Sequence, residues 1–134
     1  MTISRINPAG MAEPKGFSHA VVGHGTTVFL AGQTALNAQG QIVGDTVVEQ
    51  FELALTNLLT ALRAAGGEPD QLASLTVYIT DMDDYRAHAR DIGTVWQRLV
   101  GRDYPAMAGI GVARLWDTEA LVEVQGFAIL DPTA

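Results

Sequence analysis

The sequence contains no cysteine, which excludes disulfide bonds, thiolate chemistry and zinc sites built on cysteine. Basic residues are also scarce, because eight Lys and Arg, spread singly along the chain, face fifteen Asp and Glu, for a formal net charge of −7. Binding to a phosphate backbone needs clustered cations, so we expect no nucleic acid partner. No apolar run approaches the roughly 20 residues that span a bilayer, and residues 1–10 lack the apolar core of a signal peptide. These absences predict a cytoplasmic protein without a membrane partner.

The fraction of charged residues, counting both signs, is low for a chain of this size. Only 17% of the 134 residues are charged, whereas 48% are hydrophobic. A chain of this length and composition is expected to form one globular domain, here residues 1–134. Small monomers usually expose more charge, so the shortage predicts that another subunit covers part of the surface.

Alternating apolar and polar side chains, bounded by glycine and proline, predict six strands. They lie at residues 2–6, 17–23, 26–33, 71–80, 104–115 and 120–130. The dipeptide His24-Gly25 is typical of a tight turn and predicts that the second and third strands form a hairpin.

Two helices are predicted between these strands. The first begins at the capping box Thr46-x-x-Glu49 and ends at the glycines at 66–67. The second begins at Asp81, carries an apolar stripe and ends at Gly101.

The element order is therefore β-β-β-α-β-α-β-β. It predicts an α/β (α+β) domain with a mixed sheet of five to six strands and two helices on one face. Several strands are apolar on both faces; for example, Phe29 and Val28 point in opposite directions. The face without helices must then be buried elsewhere, and a symmetric homo-oligomer is the economical solution.

The segment 104–115 has one face with little bulk. Met107, Gly109, Gly111 and Ala113 share that face, and the next strand carries Glu123. A packed core has little reason to leave such space beside a carboxylate, so we expect a ligand cleft there.

Several segments, in this order and at this spacing, resemble the RidA (YjgF) family over almost the whole chain. They are GFSHA at 16–20, VFLAGQ at 28–33, QIVG at 41–44, AAGG at 64–67, LTVYITDMDDY at 75–85, PA at 105–106, VARL at 112–115 and ALVEV at 120–124. The resemblance implies a chorismate-mutase-like fold and a homotrimer with three small-ligand clefts between adjacent subunits. In the active branch these clefts hydrolyse reactive enamines and imines to 2-oxo acids and ammonia, with no metal or organic cofactor.

The resemblance also assigns residues to the cleft. In the family an arginine follows the Pro-Ala pair and binds the substrate carboxylate, but here that position is Met107. A thioether cannot hold a carboxylate, so we do not expect a general deaminase of small 2-imino acids. Glu123 matches the acid that positions the hydrolytic water; the alternative is a surface charge on an edge strand. Gln125 shares its strand face.

Three further positions match cleft residues of the family, each with a structural alternative. Gly32 either lines the cleft with its backbone or marks a β-bulge or close strand packing. Gly109 either offers its amide to the ligand or is a packing glycine. Phe17 stands where the active branch commonly has a tyrosine, so a hydroxyl is missing.

The histidines do not form a metal site, because no H-x-H or H-x-x-x-H spacing occurs. His19 shares a strand face with Phe17 and is either a cleft acid or base or a structural residue. His24 is expected in solvent, and His88 is expected as a core histidine on the stripe of the second helix.

Two classes of function remain open. One is a specialised deaminase or hydrolase, such as an aminomuconate-type deaminase, with Glu123 as the catalytic acid. The other is a non-catalytic trimer that binds a small organic ligand or regulates through it. Ribonuclease activity, attributed to some family members, is disfavoured by the net charge of −7.

Overall fold

The structure is a computed structural model that describes residues 2–132. Its elements, in chain order, are β1 (Ile3–Ile6), β2 (Ala20–Gly23), β3 (Thr26–Gln33), α1 (Val47–Ala64), a single 3₁₀ turn (Pro69–Gln71), β4 (Leu72–Ile79), α2 (Met82–Ala87), α3 (Ala89–Leu99), β5 (Ala106–Gly111) and β6 (Val122–Leu130). The predicted α/β fold class is confirmed.

The strands divide between two sheets. A four-stranded mixed sheet has the order β3-β6-β4-β5, with only β4 and β5 parallel, and β1 pairs with β2 in a separate antiparallel ribbon. The predicted hairpin at His24-Gly25 is therefore wrong, although the turn exists. The reason is long-range pairing: β3 finds a longer partner in β6, and the backbone N–H of His24 donates to Thr2 at 2.9 Å.

The two strands expected to flank the cleft are not neighbours, because β4 lies between β5 and β6. The chain leaves β4, passes through α2 and α3, and returns parallel to β4 as β5, which is the usual crossover of a βαβ unit. Strand β6 then pairs antiparallel with the other edge of β4.

Helix α1 follows the sequence prediction. The Thr46 hydroxyl accepts from the Glu49 N–H at 3.1 Å, and the Glu49 carboxylate accepts from the Thr46 N–H at 3.1 Å. Its buried stripe comprises Val47, Phe51, Leu55, Leu58, Leu59 and Leu62. At the C-terminus Gly66 has φ +93°, which favours glycine, and the Gly67 N–H donates to the Leu62 carbonyl at 2.9 Å.

The predicted second helix is two helices, α2 and α3, that meet at His88. Asp81 caps α2 by accepting from the Asp84 N–H at 3.1 Å, as expected for that position. His88 is exposed instead of buried in the core, because the break changes the rotation of the chain between the two helices. Its ring Nδ1 contacts the Asp84 carbonyl at 2.9 Å and the Asp84 carboxylate at 3.2 Å.

The helices cover one face of the four-stranded sheet. Leu75, Val77 and Ile79 of β4 and Val122 and Val124 of β6 are buried beneath them. We call the opposite side the open face.

The open face carries large apolar side chains that no element of the described chain covers. Phe29 is 76% exposed and packs edge to face against Phe127, with ring centroids 5.3 Å apart, and Ile110 is also exposed. Within residues 2–132 no helix is both long and apolar enough to cross a membrane.

Candidate functional site

The predicted site residues fall on opposite faces of the sheet. Met107 and Gly109 are in register with the buried Leu75 and Val77, so they lie on the helix-covered face. Glu123 is in register with Tyr78 on the open face. Strands in a sheet are about 4.8 Å apart, so β5 and β6 are separated by roughly 10 Å before the difference in face is counted. A small acid cannot contact Met107 and Glu123 of the same chain.

Met107 is half-buried at the centre of a groove between β5 and the helices. One lobe of this groove, about 230 Å³, lies against Phe17 and Gly109. We call it the outer lobe. A second lobe, about 220 Å³, extends inward between Met107 and helix α3, and we call it the inner lobe. Gly16, Tyr85 and Met107 line both lobes, so the two lobes adjoin each other.

The segment that carries Phe17 is fastened to the start of β5 by Ser18. The Ser18 N–H donates to the Pro105 carbonyl at 2.9 Å, and its hydroxyl donates to the Tyr104 carbonyl at 2.7 Å. Ser18 is only 5% exposed, so these bonds are shielded from water. Gly16, with φ +75°, allows the chain to turn into this clamp. The clamp places Phe17 beside the outer lobe.

His19 makes contacts that favour the structural alternative. Its ring Nε2 lies 2.8 Å from the Ala12 carbonyl, and its backbone N–H donates to the Asn7 side chain at 2.7 Å. The ring also packs edge to face on Phe17 at 5.1 Å. These bonds hold the loop that follows β1 against the segment that carries His19. His19 lines neither lobe of the groove.

Glu123 and Gly32 are in contact on the open face. The pairing of β3 with β6 is irregular between Leu30 and Gln33, and the half-buried Glu123 side chain lies over Gly32 in that interval. A Cβ built on Gly32 would lie 2.9 Å from Cδ of Glu123 and overlap its carboxylate. The structural alternative for Gly32 therefore applies, since there is a bulge and a side chain packed close to its backbone. The role of Gly32 in a cleft stays a prediction.

Gln125 shares the open face but contacts a different side chain. Its Oε1 accepts from the Tyr78 hydroxyl at 3.3 Å. It lies two residues further along β6 than Glu123, on the same side of the strand.

The structure adds two groove residues that the sequence analysis did not select. Burial raises the pKa of Tyr85 to about 12, so its hydroxyl stays protonated and neutral at physiological pH. Lys15 lines the inner lobe and is the only lysine in the sequence. Lys15 directly precedes Gly16-Phe17 in the sequence, and this neighbouring position could have identified it as a candidate.

Trp96, one of the apolar residues that line the inner lobe, carries one unusual buried polar atom. Trp96 is 4% exposed and stacks on Tyr104 with ring centroids 6.2 Å apart. Its indole N–H is buried and has no hydrogen-bond partner within residues 2–132. Such an unpaired donor costs about 1–3 kcal/mol of stability.

Metal-ligating residues are not grouped in this region. Among residues 2–132 no set of three or more His, Asp or Glu side chains is arranged to hold a metal ion. The groove around Met107 therefore offers a thioether, aromatic rings, a tyrosine hydroxyl and one ammonium group.

Comparison with known proteins places this geometry in a family. The family model described as Endoribonuclease L-PSP matches residues 9–130. The chain is 32% identical over 107 residues to a 2-iminobutanoate/2-iminopropanoate deaminase from Capra hircus, covering 79% of this chain and 74% of the relative. It is also 32% identical over 126 residues to the RutC family protein UK114 from Drosophila melanogaster, covering 92% and 87% of the two chains.

A solved structure agrees over nearly the full length. The crystal structure of a conserved Rid-family protein of unknown function from Yersinia pestis superposes with a TM-score of 0.87 and 35% identity, covering 97% of this chain and 100% of that one. The family model spans most of the sequence, and the fold agrees with this relative. The chain therefore belongs to the RidA (YjgF) family.

Proposed function

We propose that this protein is a homotrimer with a small-ligand cleft at each subunit interface. The observation that carries the proposal is the separation of the site residues onto two faces of one sheet. Met107, Gly109 and Phe17 form one half-site on the helix-covered face, and Glu123 with Gly32 forms another on the open face. Each half-site is complete only if a neighbouring subunit supplies the other.

The open face supports assembly. Phe29, Phe127 and Ile110 are large apolar side chains exposed on that face. Burying apolar surface contributes about 25 cal/mol per Å². Large apolar side chains left exposed on one face, such as the contacting rings of Phe29 and Phe127, are typical of an interface. Glu123 on the same face would then be carried towards the groove of the adjacent subunit.

The chemistry we propose is hydrolysis of a C=N bond. Glu123 accepts a proton from a water molecule as the oxygen attacks the carbon of the protonated imine, and the C=N π electrons move to nitrogen to give an amino alcohol. Glu123 then returns its proton to the nitrogen, the C–N bond breaks to release ammonia, and loss of the hydroxyl proton leaves the carbonyl compound. The Capra hircus relative is named as a deaminase of 2-iminobutanoate and 2-iminopropanoate. In this chain Met107 stands at the centre of the groove and cannot bind a carboxylate as an arginine would. We therefore expect slow turnover of 2-iminobutanoate and activity on a different imine.

A binding or regulatory trimer is the second candidate, and the character of the groove favours it. The residues around Met107 are mostly apolar, and Phe17 offers no hydroxyl to a ligand. Such a cleft can hold a small organic molecule without hydrolysing it.

The test has two parts. Light scattering after size exclusion should give three times the 14.2 kDa chain mass. Imines generated in solution from a panel of amino acids, including aromatic ones, should then be hydrolysed faster with enzyme, and Glu123→Gln should lower that rate by about 10²- to 10⁴-fold. Glu119→Gln, at an exposed carboxylate near the start of β6, is the matched control.

Three outcomes separate the candidates. A rate unaffected by Glu123→Gln would contradict the hydrolytic role of that residue. Ligand binding without acceleration of any imine would support the binding trimer. A monomeric protein in solution would contradict the inter-subunit cleft. The cytoplasmic location remains a prediction that cell fractionation can check.

A further inference from the structure

We propose that the inner lobe behind Met107 binds the ring of a small aromatic carboxylic acid, and that Lys15 at its mouth binds the carboxylate. The inference rests on the proposed function and deepens it, because it names the ligand class of the same groove. It also replaces the missing arginine with a cation from the same chain.

The inner lobe has the size and lining that a phenyl ring needs. Its volume is about 220 Å³. An apolar cavity of ~150 Å³ is enough to bind benzene. The side chains of Phe51, Ile92, Trp96 and Tyr104 surround it, and Met107 separates it from the outer lobe. A two- or three-carbon acid would leave most of this apolar surface without a partner, whereas an aromatic acid would cover it.

Lys15 supplies the charge that an acid requires. It is the only lysine in a chain of net charge −7, and it lines the same lobe as Met107. Among residues 2–132 no carboxylate lies within 4.0 Å of its ammonium group, so the charge is available to a ligand. The Ser18 clamp on Tyr104 and Pro105 keeps the Lys15 backbone next to the groove.

A side chain on the wall adds to the case. Tyr85 lines both lobes, and a tyrosine hydroxyl can donate to an oxygen atom of an acid.

Calorimetric titration of the full chain with three probes tests the proposal. Phenylacetate has the ring and the charge, phenylacetamide keeps the ring without the charge, and 2-oxobutyrate keeps the charge without the ring. We expect phenylacetate to bind up to about fivefold more tightly than phenylacetamide, the contribution of an exposed ion pair. We also expect it to bind more tightly than 2-oxobutyrate, which cannot cover the apolar wall. Lys15→Met should reduce phenylacetate affinity to that of phenylacetamide, and Arg63→Met, an exposed cation at the end of α1, should not.

A second variant tests the lobe without disturbing the charge. Gly93 lines the inner lobe from α3, and a Cβ placed there meets no atom within 4 Å. Gly93→Leu should fill the lobe, keep the helix because leucine is the better helix former, and lower phenylacetate affinity at least about tenfold. Thr94→Leu, one residue further on an exposed position of α3, is the matched control.

The outcomes are separable from those of the proposed function. Phenylacetate that does not bind at millimolar concentration, or binding that survives both Lys15→Met and Gly93→Leu, would overturn the inference. The effect of Glu123→Gln on imine hydrolysis does not depend on either variant, so the hydrolase could stand while the aromatic subsite fails. Loss of binding in both variants with unchanged melting temperatures would support the subsite.

Discussion

The two faces of the central sheet differ in how they are completed. The helix-covered face is closed by this chain alone, apart from a groove of two lobes around Met107. No element of the described chain covers the open face, where Phe29 and Phe127 are exposed and the Glu123 carboxylate contacts Gly32. The comparison teaches that burial of one face stabilises the subunit, whereas the other face keeps the exposed apolar side chains that our proposal assigns to a neighbouring subunit. The following predictions test that contrast, from the largest expected effect to the smallest.

Phe29→Glu should dissociate the assembly. A charge in the middle of an apolar interface cannot be desolvated without a partner, so the molecular mass in solution should fall to that of the 14.2 kDa chain. Val22→Glu, at an exposed apolar position on the β1–β2 ribbon, is the control and should leave the mass unchanged. A Phe29→Glu protein that keeps the mass of the wild type would place the interface elsewhere.

Gly32→Ala should reduce turnover by about tenfold or more while the trimer persists. The added methyl group overlaps the Glu123 carboxylate, so that side chain must leave its position. A displacement of about 1 Å in a catalytic group can cost 10²-fold in rate. Steady-state kinetics measure the change, and Gly10→Ala, at an exposed position where a Cβ meets no atom within 4 Å, shows whether any glycine substitution has the same effect. Equal kinetics for Gly32→Ala and wild type would remove Glu123 from the reaction.

Met107→Arg should create binding of small 2-oxo acids. A charged hydrogen bond to a carboxylate contributes about 1.5–3 kcal/mol, so affinity for 2-oxobutyrate should rise by about tenfold or more. Met107→Gln, similar in length but neutral, is the comparison variant in the same titration. If the arginine variant gains nothing over the glutamine variant, the groove differs from that of the family in more than this one side chain.

His88 should give a small pH dependence of stability. The hydrogen bond to the Asp84 carbonyl, followed by the Asp84 carboxylate and Asp91, raises the pKa of His88 above its usual value of 6.5. A raised folded-state pKa means that the added stability is fully present below pH 6.5 and is lost as the pH rises through the folded-state value. Melting curves between pH 5 and 8 should show this trend. Asp84→Asn should weaken it without abolishing it, because the substitution removes the carboxylate but keeps the backbone carbonyl. A trend of the opposite sign would contradict the assignment.

Local chemistry made part of this fold predictable. The capping box at Thr46, the glycine stop at 66–67 and the cap at Asp81 are signals carried by a few adjacent residues, and each appears in the structure. The family could likewise be inferred from short segments at fixed spacing. What sequence could not supply was the partner of each strand, because pairing is decided by residues far apart in the chain.

The candidate site was also predictable only in its local features and not in its long-range arrangement. Period-two alternation correctly placed Met107 and Gly109 on one face of their strand. It could not show that β4 separates them from Glu123 or that this carboxylate points to the other side of the sheet. The break at His88 was also hidden, since the apolar stripe continues across it without a glycine or proline. The position of Lys15 before Gly16-Phe17 was readable in the sequence, but its place next to the groove depends on the Ser18 clamp.

The placement of the two half-sites on opposite faces makes genetic complementation possible. In a ring of three subunits, every contact joins one face of a subunit to the other face of its neighbour. A chain whose inner lobe is filled by Gly93→Leu still carries an unmodified Glu123. A Glu123→Gln chain still carries an unmodified groove. In the proposed trimer, assembly from an equal mixture should give roughly a quarter of the sites both halves unmodified, whereas neither parent has such a site. Two inactive proteins would make an active one when they are unfolded and refolded together.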